Sequence, residues 1–154
     1  MKQCLLFLLW HYLTLNSVAQ EIPFRHVVID DHGPVDPWGK SVGDLNGDGL
    51  VDLIVGGSRS GGLVWYQNPT WQKHVVRSSD QWSTDHETAD VDGDGDLDLV
   101  ALTKTALVWL ENPNWELHVI DDVVLHDIEV ADFDSDGDID VVGRDQGEFG
   151  HSGA

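Results

Sequence analysis

The chain has 154 residues, enough for one domain of ordinary size. It carries 8 Lys and Arg against 28 Asp and Glu, a formal net charge of −20 at pH 7, which repels phosphate backbones and anionic membrane surfaces and sets aside nucleic acid as a partner. Its single cysteine, Cys4, cannot form an intramolecular disulfide, so any staple has to be of another kind.

The first residues read as an export signal. Met1-Lys2-Gln3 is a short positive start, and the apolar run from Cys4 to Leu15 is too short to span a bilayer. Ser17-Val18-Ala19 then supplies small residues before Gln20. Residues 1–19 are therefore expected to be a secretory signal peptide, cut before Gln20. Cys4 lies ahead of the apolar core and not at the cut, which argues against a lipid anchor. The expected location is secreted, periplasmic or cell-surface, with no membrane span once the signal is gone. Cleavage would remove the only cysteine, the only methionine and Lys2, leaving the chain still more acidic.

Beyond the leader, Arg25 to Asp30 is expected to be a strand and His32 to Pro37 a turn-rich link. Lys40 to Leu45 then enters the loop Asp44-Leu45-Asn46-Gly47-Asp48-Gly49-Leu50-Val51-Asp52. The same pattern, D-x-[DN]-x-D-G-x-x-D, recurs as Asp90 to Asp98 and as Asp132 to Asp140. Alternate residues of a tight loop converge on one point, and bare carboxylates there repel one another. A hard cation accepting six to eight oxygens relieves that repulsion, and calcium is the usual one. The three loops hold thirteen of the 28 acids, so the acidity is not a diffuse solvated surface. An EF-hand would require a bidentate glutamate at position 12 and flanking helices. Position 12 is Val55, Ala101 and Gly143, and the flanks are β-rich. That reading fails.

Other landmarks keep the same beat. The loop starts are separated by 46 and then 42 residues, and Trp65-Tyr66-Gln67-Asn68-Pro69-Thr70-Trp71 returns as Trp109-Leu110-Glu111-Asn112-Pro113-Asn114-Trp115. His26-Val27-Val28 returns as His74-Val75-Val76 and His118-Val119-Ile120. A fixed period of this length marks stacked supersecondary units, here around 40–78, 84–121 and 125–154. Gly56 to Gly62 lacks the Lys-[Ser/Thr] of a phosphate-binding loop and reads as a hairpin turn. In the first unit Leu63 to Tyr66 and Trp71 to Arg77 complete the strands, and the second unit repeats this from Thr84 to Asp121. Four short strands joined by tight turns make a propeller blade.

The loops, the W-x-x-N-P-x-W hairpin and the H-V-[VI] strand resemble the VCBS and FG-GAP repeat family over nearly the whole chain after the leader. The resemblance implies a calcium-stabilised β-propeller, usually of seven blades. It implies side-chain ligands from Asp44, Asn46, Asp48 and Asp52, from Asp90, Asp92, Asp94 and Asp98, and from Asp132, Asp134, Asp136 and Asp140. Leu50, Asp96 and Asp138, at position 7, would offer backbone carbonyls, for up to three calcium ions in all. The chain departs from the family in holding about two and a half four-stranded blades. The expected fold is all-β, a partial propeller forming an open arc, in a fragment of a longer protein whose unpaired edges invite self-association.

Chemistry beyond calcium is sparse. There is no nucleophile elbow and no H-E-x-x-H helix. The periodic histidines and tryptophans read as blade packing, a sugar-stacking role for the tryptophans being the lesser reading. Glu87 and Glu129 each stand three residues before a loop, with Asp85-His86 and His126-Asp127 beside them. The strand entering the loop tends to line a propeller's channel, so Glu87, Glu129, His86, His126 and Asp127 are candidate channel residues. Ser41 holds the glutamate's place in the first unit. Two functions follow: an exported calcium-binding module for a glycan or protein ligand, or the propeller part of an enzyme resembling sugar lyases and dehydratases.

Overall fold

Each unit contains two apolar runs close together in sequence, and strands apolar on both faces must be covered on both. A computed structural model of the protein describes residues 23–78 and 82–145; the expected signal peptide, 1–19, and the end of the third unit, 146–154, lie outside the described residues. The first sheet has the order β1 (Val35–Gly43), β2 (Asp52–Ser60), β3 (Leu63–Gln67) and β4 (Gln72–Arg77). The second repeats it with β5 (Trp82–Ala89), β6 (Asp98–Thr103), β7 (Leu107–Glu111) and β8 (Glu116–Asp121). The third unit contributes the antiparallel pair β9 (Asp127–Ala131) and β10 (Asp140–Arg144). There is no helix among the described residues, so none there could cross a membrane as a long apolar helix. The architecture is all-β, a partial propeller with no closed sheet, as the repeat pattern predicts.

The period of two sorts the apolar side chains between neighbouring blades. In β2 and β3, Ile54, Leu63 and Trp65 point to the second blade, while Leu53, Val55, Val64 and Tyr66 face the other way. In β6 and β7, Leu99, Ala101, Val108 and Leu110 meet the first blade, while Val100, Leu102, Leu107 and Trp109 meet the third unit around Ile128. The outer strands have one exposed face, which leaves Val75 and Val119 in solvent. The loop-entering strands β1, β5 and β9 lie next to one another, as inner strands of successive blades.

Three local expectations are corrected. Arg25 to Ile29 forms no strand. Ile29 instead packs on the outward face of the first blade against the cluster of Val55, Val64 and Tyr66. The carboxylate of Asp30 fixes it there, accepting bonds from the Tyr66 hydroxyl at 2.7 Å, the His32 amide at 2.7 Å and Lys73 Nζ at 3.0 Å. These donors hold the Asp30 carboxyl down to about 2. The turn-rich link is partly strand, since β1 begins at Val35; its irregular register around Pro37 is tolerated because β1 is an edge. Trp71 and Trp115 belong to the turns and not to the following strands, with φ of 58° and 56°.

Candidate cation loops and the inner-strand groups

Each loop is folded by its own acids. In the first, both oxygens of Asp44 accept amides, from Asp48 at 3.0 Å and Gly49 at 2.7 Å, and Asp48 Oδ1 accepts the Leu50 amide at 2.9 Å. In the second, Asp90 accepts the amides of Gly93 at 2.9 Å and Gly95 at 3.1 Å, Asp92 that of Asp94 and Asp94 that of Asp96. In the third, Asp132 accepts those of Asp136 and Gly137, both at 3.1 Å, and Asp136 that of Asp138. The glycine at position 6 is required by its backbone: Gly49, Gly95 and Gly137 have φ of 85°, 98° and 102°.

The result brings positions 1, 3 and 5 together. Ligand oxygens of Asp90, Asp92 and Asp94 lie within 4.8 Å of one another, as do those of Asp132, Asp134 and Asp136. In the first loop Asn46 takes position 3, and its side-chain amide donates to Asp48 Oδ2 at 3.0 Å. An all-oxygen cluster of this kind could hold a hard cation. Leu50, Asp96 and Asp138 are exposed at position 7 beside their clusters.

Position 9 does something the sequence did not disclose. Asp52 and Asp98 are each 1% exposed. Asp52 accepts the amides of Leu45 at 3.1 Å and Asn68 at 2.9 Å, and Asp98 those of Val91 at 3.0 Å and Asn112 at 2.8 Å. Burial pushes the Asp98 carboxyl up, and the two amides only partly offset that. These carboxylates latch the loop's start to the Asn-Pro turn of the next hairpin. Asn112 extends the latch by donating its side-chain amide to the carbonyls of Leu97 at 3.0 Å and, across the blade junction, Leu45 at 2.8 Å. Asn68 has only Val51 O, at 3.1 Å. The invariance of Asn-Pro between the two units was the available signal for this role. Asp140 accepts the Phe133 amide at 3.0 Å.

The inner-strand candidates separate. His86 lies 1% exposed, walled by Gly39, Gly56 and Trp82, with its Nδ1 2.7 Å from Ser41 Oγ. It lies in the junction between the first two blades, in a slot that Gly39 and Gly56 leave open. Burial lowers its pKa from 6.5 to about 4, so it is neutral there. Glu87 is half-buried and Glu129 exposed. Desolvation, then the charges of Asp85 and Glu129, raise the Glu87 pKa. His126 Nδ1 lies 2.7 Å from Asp127 Oδ1, and Arg144 bonds the other Asp127 oxygen. The Asp127 carboxyl is thereby lowered, His126 being the larger cause. Asp85 is the positioning residue here, accepting the Ile128 amide at 2.9 Å across the second junction.

Residues 44–101, from the first loop through most of β6, match the family model of an FG-GAP-like repeat. No curated protein matches the chain, and no solved structure does.

Proposed function

We propose that the protein is an exported, calcium-stabilised propeller module of the VCBS and FG-GAP kind that presents its surface to an extracellular glycan or protein. The observation that supports this best is the clustering of positions 1, 3 and 5 in the second and third loops, which like the first contain no lysine or arginine. Nothing within a loop neutralises its carboxylates, and a divalent cation would. The leader reading supplies a compartment where calcium is plentiful. Without a position-12 glutamate, affinity should fall in the weak range of extracellular modules, about 10⁻⁴ to 10⁻³ M. Binding arrays of glycans and extracellular proteins, run with calcium and with chelator, test the reading. A ligand retained only with calcium is expected. Ligand capture indifferent to chelator would count against it.

One observation favours a second reading. The raised Glu87 carboxyl, close enough to Glu129 to feel its charge, suits a proton-transfer pair in a sugar-processing enzyme. Turnover of a uronate-containing polysaccharide, lost in Glu87→Gln, would replace the binding-module reading.

A further inference from the structure

The hairpins of the first two units share their Trp, Asn-Pro, Trp and His positions, and one facing pair next to the histidine differs in charge. In β3–β4, Trp65 is opposite His74 and Gln67 opposite Gln72. In β7–β8, Trp109 is opposite His118 and Glu111 opposite Glu116. Both histidines stack on their tryptophans, at 4.1 Å and 11° in the first and 4.4 Å and 20° in the second. The hairpin therefore forms with amides at the paired positions and has no need of carboxylates. Two glutamates directly opposite on antiparallel strands repel each other. His118 Nε2 stands 3.1 Å from Glu111 Oε2, and ligand atoms of all three side chains lie within 4.8 Å of one another.

We propose that Glu111, Glu116 and His118 form a binding site for a borderline divalent cation of the zinc type, on a different hairpin from the three acidic loops. The donor set of two carboxylates and one imidazole suits zinc, whereas a site for calcium is built from oxygen alone. Two donors about 2.0–2.2 Å from one tetrahedral ion sit about 3.3 to 3.6 Å apart, and the His118–Glu111 pair, hydrogen-bonded at 3.1 Å, needs to open by only a few tenths of an ångström (roughly the difference between those two spacings) to admit one. Stacking on Trp109 holds the imidazole plane, Glu111 is paired to it, and the exposed Glu116 already brings a carboxylate oxygen within reach of both. Three protein ligands leave a coordination position for water or a ligand's oxyanion.

The test is zinc calorimetry on the tag-free chain, with calcium added in excess to occupy the acidic loops. One zinc ion is expected in the wild type. Glu111→Gln with Glu116→Gln, which reproduces the first unit's pair and so keeps the hairpin, should weaken uptake at least tenfold. Gln67→Glu with Gln72→Glu should create a second zinc site around His74. No uptake by the wild type, uptake unchanged in the double-glutamine variant, or no second site in the double-glutamate variant overturns the proposal. So does uptake abolished by His32→Ala, which would place the ion at the Asp30–Asp31–His32 cluster.

Discussion

The two blade junctions are built from the same repeat and closed by different chemistry. Between the first and second units, a neutral buried His86 bonds Ser41, Thr88 Oγ1 donates to Val42 O at 3.2 Å and Asn112 reaches Leu45 O. Between the second and third, Asp85 accepts the Ile128 amide and Thr84 donates to His126 O. The register that carries His86 carries Ile128 one unit later. The first junction also has the larger apolar core, with Ile54, Leu63 and Trp65 against Trp82, Leu99 and Leu110, while the second rests on Val100, Leu102, Leu107 and Ile128. A repeat thus fixes where neighbours touch but leaves the polar contacts free to vary, and the two junctions should respond to different insults.

The largest difference is expected at position 9. Asp98→Ala strands two buried amides and should cost roughly 2–5 kcal/mol. Asp140→Ala removes the acceptor of the Phe133 amide in an exposed setting and should cost about 1 kcal/mol or less. Urea unfolding of both variants checks the ranking, and equal losses would break the comparison.

As pH falls, acid should act on the first junction before the second. His86 has a folded pKa near 4 against an ordinary 6.5. The unfolded chain therefore takes up the proton first as pH falls, and stability is lost between about pH 6.5 and 4, by an amount on the order of 2–3 kcal/mol. Hydrogen exchange across that range should loosen Ser41 and its neighbours before Ile128. The reverse order would contradict the role given to His86.

Smaller effects separate the clasps. Asn112→Ala loses two side-chain bonds, one of them across the junction, and should cost about 2 kcal/mol; Asn68→Ala loses one exposed bond and should cost under about 1 kcal/mol. Thermal melting of the pair is sufficient to see the gap. The smallest change is a gain. Ser135 has φ of 66° where the other loops have Gly47 and Gly93, so Ser135→Gly should stabilise the third loop by about 1 kcal/mol in calcium-free buffer. No gain there would mean the serine's backbone carries no strain.

The blade pattern and loop clusters were legible in the sequence because both rest on local spacing. Period two sets the strands, and alternate acids in a tight loop converge whatever surrounds them. The latch was not legible, because Asp98 and Asn112 are fourteen residues apart and meet only when the hairpin folds back. The burial of His86 was not legible for a related reason. Its inner-strand position suggested a channel, but Gly39 and Gly56 on the neighbouring blade open a slot that the ring fills. Arg25 to Ile29 carries a strand-like pattern, and the exposed face of the first blade decided its fate instead.

Calcium titration by calorimetry, with the wild type beside Asp92→Ala and Asp134→Ala, tests the central claim most directly. The account predicts up to three ions bound in the range of about 10⁻⁴ to 10⁻³ M, the loop containing Asn46 weakest, and one ion fewer in each variant. A folded chain that takes up no calcium at several times those concentrations, or variants that keep the full complement, would contradict it.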